Sequence, residues 1–489
     1  MTAIIPASGS RGRDVPGRRG HAVLLAAAVI VLTGCGNILD VDNPNNVVED
    51  ALNNPRAAAF IANGAGATVT RALAAIYSPY GAVTDELTYV GSRDAYGYAD
   101  RGEVSDPFNE FTDAAFPEMA EARYVTANAV RLIKQFDADG ELDDRHDLAR
   151  ALLYEAIIFT AIGEMFDDFV IEAEKATTAP PLGEGNMFVV FDSAVTQATE
   201  GLAIAQALGT DDGDDTATRL MMVRARARHS KAIWQKLNGA SGEPATTPVQ
   251  NPLVNDAGAD ADAAAALAMV GTGVDYKFKL TPLTQTLGFP VVGNDLNNRL
   301  ELRSGDSQAG ISSALCRDAT CDQYVIPEAT KGNTVVSVKY QDPVNNIVDP
   351  ALNAAITECC IKGPQNGQGD LVPMTMVSAR EMLLIRAEHA LANGNTGQFQ
   401  IFINQLRDLN SSLSDYNGAT PAPQAMLAHS RFVNLYLQGR RLMDMHRFGI
   451  KAQKWESDAE AYGRACFFPV TNIERQTHPD DFVQPLCRS

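Results

Sequence analysis

Residues 116–136 (FPEMAEARYVTANAVRLIKQF) and 145–166 (RHDLARALLYEAIIFTAIGEMF) constrain the fold more than any other feature. The first sets Met119, Ala122, Val125 or Thr126, Ala129 and Ile133 on one stripe at helical spacing. The second does the same with Leu148, Leu152, Ile157 and Phe159 on a wide apolar face. A stripe of this kind needs a partner to cover it. The Asp- and Gly-bearing connector Asp137–Asp144 is short, so the two segments are predicted to form an antiparallel helix pair. The pattern recurs at 187–208 and 217–238, joined by GTDDGDDT. It recurs again at 373–392 and 396–409, where Asn393-Gly394 is a stop signal and Thr396 a start signal. A last long helix is predicted over 423–439. The expectation is a mainly α scaffold of stacked helix pairs, unevenly spaced in sequence.

Residues 239–372 interrupt this pattern. They are rich in Gly, Pro, Asn and Asp, carry an Ala/Asp run at Asp256–Ala268, and offer only short strand-like pieces such as TVVSVKY at Thr334–Tyr340. An irregular insertion packed on the helices is expected, and tracts of this length with little regular structure are often functional.

The N-terminus reads as an address. Arg11, Arg13, Arg18 and Arg19 precede the apolar run Ala22–Leu32, which ends in Leu32-Thr33-Gly34-Cys35. Eleven residues of helix span ~16 Å, about half a bilayer core, so a permanent transmembrane helix is not expected. The Leu-x-Gly-Cys ending resembles a bacterial lipobox, in which Cys35 is acylated and becomes the mature N-terminus. The other reading is an ordinary signal peptide with an incidental cysteine. Gly36 after Cys35, in place of Asp, favours outer-membrane sorting. Removing residues 1–34 takes a net +3 from a chain of −20, leaving about −23. A surface so acidic is unsuited to nucleic acid, whose binding rests on neutralised phosphates.

Six cysteines then remain: Cys316, Cys321, Cys359, Cys360, Cys466 and Cys487. An even count in an exported chain points to disulfides, with fifteen connectivities possible. Cys466 with Cys487 is expected to staple the C-terminal tail. The other four are expected to cross-link the 316–360 region, Cys359 and Cys360 each reaching Cys316 or Cys321. A four-thiolate zinc site does not fit the spacing.

Several segments together resemble the SusD/RagB family of outer-membrane nutrient-binding lipoproteins. LDVDNPNNV follows the lipobox much as that family begins. ARALLYEAIIFTAIGEMFDDFVI is similar to its Arg-Ala-x-x-x-Tyr helix, with Asp167 where glycine is common. EMLLIRAEHALANGN resembles the helix with Leu-Ile-Arg-Ala-Glu-Ala. RFVNLYLQGRRLMDMHRFG resembles the late signature at Gly439, Arg441, Asp444, Arg447 and Gly449, while Ser430, Asn434 and Gln438 stand where glutamates are usual. FFPVTNIERQTHP is similar to the close. The match is spread from residue 35 to about 480. It implies a TPR-like domain over 35–489 that binds nutrients without catalysis and associates with a SusC-like TonB-dependent β-barrel.

In the late signature, Arg440 and Arg441 are at helical reach of Asp444, and Asp444 of Arg447, which predicts ion pairing that locks a helix end. Arg386 and Glu388 are expected to pair with neighbours. No His-Glu-x-x-His, Gly-x-Ser-x-Gly or phosphate-cradling loop occurs. Acid pairs such as Asp167-Asp168 and Asp85-Glu86 leave open a glycosidase, which needs two carboxyls at a set separation. Asp137–Asp144 and Asp211–Asp215 read as solvated inter-helix loops with weak Ca²⁺ binding open, although neither fits an EF-hand. No other cofactor is expected.

The candidate ligand site is YSPYGAVTDELTYVGSRDAYGYADRGE. Five tyrosines (Tyr77, Tyr80, Tyr89, Tyr96, Tyr98) fall within 22 residues, mixed with Asp85, Glu86, Arg93 and Arg101. Sugars take flat apolar faces and planar polar side chains, and the glycines at 81, 91, 97 and 102 predict an exposed loop. The alternative is a loop whose tyrosines pack on the scaffold. Trp455 is a second candidate platform, and Trp234 is expected in the core. The functional expectation is a lipid-anchored binder of oligosaccharides or peptides. Against it stand a solute-binding lipoprotein of an inner-membrane transporter, which would usually show two α/β lobes, and a lipoprotein glycosidase.

Overall fold

A computed structural model describes residues 53–171, 179–239, 242–282, 292–297, 299, 301–305, 340–360, 372–476 and 485–488. The signal segment, Cys35, Cys316, Cys321 and most of Thr334–Tyr340 lie outside them, as does the side chain of Cys360.

The first helix, α1 (Ala58–Val83), is followed by β1 (Leu87–Tyr89), α2 (Asp94–Asp100), α3 (Glu110–Ala138) and α4 (Arg145–Met165). Then come α5 (Phe188–Leu208), α6 (Asp211–Leu237), α7 (Ala257–Val270), β2 (Lys277–Leu280), α8 (Val292–Asn297), β3 (Leu302–Ser304) and α9 (Pro350–Cys360). β4 (Met374–Ser378), α10 (Ala379–Ala392), α11 (Thr396–Asp408), α12 (Pro423–Asn434) and α13 (Arg441–Phe448) complete the main elements. Helix neighbours stack in the order α1, α3, α4, α5, α6, α7, α10, α11, which is the expected array of antiparallel pairs. By length and composition α1 could cross a membrane, but most of its apolar window is buried inside the fold, where it is a core helix.

Side-chain caps fix where helices start. Asn109 accepts from the Phe111 and Thr112 amides, and Asp144 from that of His146 at 2.8 Å. Thr210 caps α6, Asp256 caps α7 at 2.7 Å, Ser378 caps α10 and Asn395 caps α11. Close helix approach comes from small residues: a Cβ added to Gly163 of α4 would sit 2.6 Å from the Phe191 ring of α5. Between α10, α11 and α12, Leu384, Phe399, Phe402, Tyr416 and Leu427 form one apolar cluster.

Four expectations are corrected. Asp211–Asp215 is no loop but the first turn of α6, where acidic side chains face the positive helix end. The Ala/Asp run of the insertion is helix α7, which takes the place between the second and third pairs, packing on both α6 and α10. Residues 374–378 are a strand, paired antiparallel with β2, before α10 begins. The last helix stops at Asn434, because Leu437 (φ 52°) and Gly439 (φ 79°) take left-handed backbone before α13 starts.

Candidate functional site

The tyrosine-rich segment is not an exposed loop. Tyr77 and Tyr80 lie in the last turns of α1, Leu87–Tyr89 pairs with Leu302–Ser304 as an antiparallel ribbon, and Tyr96 and Tyr98 lie in α2. Gly91 and Gly102 do interrupt the helices, Gly102 with φ 94° just past α2, but Gly81 and Gly97 lie inside helices and mark tight packing: a Cβ on Gly81 would meet the Leu87 side chain at 2.6 Å.

Five of the nine candidates are held by the scaffold. Tyr77 is buried with its hydroxyl 3.5 Å from the Gln438 carbonyl, and the Tyr80 hydroxyl accepts from the Leu442 amide at 3.0 Å. Tyr96 is fully buried, stacks on Phe111 and donates to Asp295 at 2.7 Å, where Ser78 also donates. Asp85 takes a two-pronged bond from Arg441, both contacts 2.6 Å. Glu86 accepts from the Leu437 amide at 2.7 Å, and Tyr436 donates to its carbonyl. Burial pushes the Glu86 carboxyl up to about 8, the Leu437 amide and Arg441 only partly opposing it. These groups carry the joint between the end of α1 and the late signature. Trp455 is likewise buried, donating to the Val83 carbonyl at 2.9 Å.

The remaining four, Tyr89, Arg93, Tyr98 and Arg101, form an edge along β1 and α2. Tyr98 is 45% exposed, and the Arg101 guanidinium sits 4.8 Å from its ring centroid. Arg101 reaches Glu103 at 3.6 Å and Glu456 at 3.4 Å. Lys454 stands 3.4 Å from the Tyr89 carbonyl and 3.2 Å from Asp100, whose carboxyl burial raises against the opposing lysine. Arg93 lies over the Phe111 ring, and its amide donates to Glu301 at 3.0 Å. Glu301, Lys454 and Glu456 were invisible to sequence reasoning, since chain pairing more than 200 residues away brings them here. The edge offers one exposed ring flanked by charged, planar and ammonium groups, which suits a polyhydroxylated ligand.

The late signature lies in a buried ionic lattice. Arg447 donates to Asp444 at 2.9 Å and to Glu388 at 3.0 Å, Arg431 donates to Asp444 at 2.8 Å, and His229 contacts Glu388 at 3.0 Å. Burial pushes the Glu388 carboxyl up, and Arg447 with His229 more than reverses this, holding it well below the usual range. Arg440 pairs with Glu381 and Arg226 with Glu164. The signature is therefore architectural, as expected, but two pairings differ. Arg440 and Arg441 do not reach Asp444; they turn to Glu381 and Asp85, which lie at right reach only after folding. Arg386 pairs with Asp260.

Other carboxylate groups are engaged. Asp137 takes both prongs of Arg145, and Asp144 is a helix cap. Asp342, Asp349 and His429 converge, but Arg407 already neutralises Asp342 at 2.7 Å. Asp168, pushed up by burial to about 6, accepts from the Phe169 and Gly183 amides, and Asp167 is buried beside it. Cys466 and Cys487 are bonded with Cα atoms 5.9 Å apart, and Cys359 is also in a disulfide.

No family model and no curated protein matches the sequence. Solved structures do. The chain is similar to a SusD superfamily protein from Bacteroides fragilis at 11% identity and TM-score 0.53, over 87% of this chain and 98% of that one. A SusD superfamily protein from Bacteroides thetaiotaomicron gives 13% identity and TM-score 0.52 over 88% and 99%. One from Bacteroides vulgatus gives 12% and 0.51 over 89% and 95%. With a stacked-helix array and matches that cover nearly the whole of those proteins, the chain has the SusD fold.

Proposed function

We propose that the protein is a cell-surface lipoprotein, anchored through acylated Cys35, that captures glycans and passes them to a SusC-like TonB-dependent β-barrel in the outer membrane. The observation that carries the glycan part is the β1–α2 edge, where an exposed Tyr98 ring lies beside Arg101 and its carboxylate partners. A ring face packs against sugar C–H bonds, and charged planar groups bind vicinal hydroxyls. Peptides carrying polar side chains are the second ligand class such an edge accepts. The role is binding rather than catalysis, because Asp85 is held by Arg441, Glu86 by the Leu437 amide and Asp168 by backbone amides, so neither sequence-adjacent pair offers two free carboxyls. An inner-membrane solute binder would bring two α/β lobes, whereas the described residues contain just two two-stranded sheets.

A glycan and peptide array followed by titration tests the edge. Tyr98→Ala and Arg101→Ala are expected to weaken glycan binding by roughly fivefold to a hundredfold each while leaving the thermal midpoint in place. Unchanged affinity in both variants contradicts the assignment.

A further inference from the structure

A second groove lies on the helical array itself, where the Asn251–Asp256 segment and α7 meet the α10–α11 hairpin. Its volume is about 770 Å³, within the size range of small-molecule sites. Asn255, Asp260, Arg386, His389, Asn393 and Gln398 line it over the Phe402 ring. Asn255 and Asn393 exchange amide hydrogen bonds, both 2.9 Å. Arg386 donates to Asp260 at 3.2 Å, and His389 lies 3.7 Å from the same carboxylate and 3.2 Å from the Asn393 amide nitrogen. The Arg386 guanidinium covers Phe402 at 4.3 Å from its centroid, leaving that ring 5% exposed.

We infer that this groove is a second carbohydrate subsite, taking a short stretch of neutral sugar. The inference rests on the glycan reading of the β1–α2 edge but concerns a different face built by different elements. Three features select the ligand class. The cation and anion here are already paired, so a charged ligand would have to break Arg386 from Asp260, whereas a neutral one leaves them together. Beyond their bonds to each other, Asn255 keeps an N–H and both asparagines an acceptor lone pair, and Gln398 adds an amide with a donor beside an acceptor, which matches hydroxyls that do both. With Phe402 covered, no ring face is offered to a flat apolar ligand. Binding then rests on hydrogen bonds exchanged against water, so each contact adds little and affinity is low. A weak second contact on a chain held elsewhere acts by raising avidity.

The test is hydrogen–deuterium exchange on the full mature chain, with a panel of neutral hexasaccharides of glucose, mannose and xylose at increasing concentration. Protection over residues 251–260 and 386–402 is expected, and Asn255→Ala with Gln398→Ala should weaken it roughly tenfold without moving the thermal midpoint. Tyr98→Ala should leave groove protection by short sugars intact. A hexasaccharide that needs Tyr98 yet never protects the groove overturns this inference alone. No binding of any neutral glycan overturns it together with the functional reading. Protection by an uncharged Gly-Ser hexapeptide and by no sugar also overturns it, making the groove a peptide clamp.

Discussion

Replacing Glu86 by glutamine isolates one buried proton. In the folded protein this carboxyl is almost fully buried and stays protonated up to about pH 8, whereas in the unfolded chain it ionises near its ordinary value of 4.5. Between those values the folded state holds one proton more than the unfolded state. Stability contributed by this group is therefore full at the acidic end and falls as pH rises, by ~1.4 kcal/mol per pH unit. From about pH 5.5 to about pH 7.5 the loss is about 2.5 kcal/mol. Glutamine cannot ionise, yet its carbonyl can still accept from the Leu437 amide that Glu86 Oε1 now bonds. Its amide nitrogen would occupy the place of Oε2, which has no partner among the described residues, so some fixed destabilisation is expected at every pH. The informative quantity is the slope. Urea denaturation followed by circular dichroism at both pH values should show a wild-type loss larger than that of Glu86→Gln by about 2.5 kcal/mol. Other buried acids, Glu155 among them, contribute equally to both proteins and cancel in the difference. Identical slopes would refute the argument that the end of α1 buries a neutral carboxyl.

Three further outcomes follow from the same geometry. Arg447→Met strands Glu388 and Asp444 in the interior and should cost about 3–5 kcal/mol in denaturant midpoints, more than Arg145→Met at the exposed Asp137 pair, where about 0–1 kcal/mol is expected. Cys466→Ser opens a staple closing 21 residues and should cost about 3 kcal/mol, with earlier proteolysis of the tail as the readout. Tyr96→Ala, in contrast to Tyr98→Ala, should lower the thermal midpoint sharply, because it removes a buried ring stacked on Phe111 and takes from Asp295 one of its two donors, leaving Ser78.

The helix pairs were legible in sequence because their helices carry 3.6-residue apolar stripes, whereas their starts were not: the caps Asn109 and Asp144 went unread, and Asn395 rather than Thr396 caps α11. Misreadings arose where one residue type serves two physical ends. Gly81 and Gly97 looked like chain breakers, yet they sit inside helices and admit the Leu87 and Tyr89 side chains. Asp211–Asp215 looked like a solvated loop, yet aspartates also favour a helix start. The ionic partners of Arg440 and Arg441 could not be read locally: Asp85 lies 356 residues away, and helical spacing offers the nearer Asp444 instead. For the same reason the site split in two. Tyrosine density singled out the segment, but which ring faces solvent depends on the pairing of β1 with β3, a long-range fact.

The most direct test of the account is purification of the tagged, native protein from separated, detergent-solubilised membranes. Acylated Cys35, outer-membrane recovery and a large β-barrel co-purifying in near-stoichiometric amount are the predicted result. Recovery from the inner membrane alone, with residue 35 unmodified and no barrel attached, would contradict it.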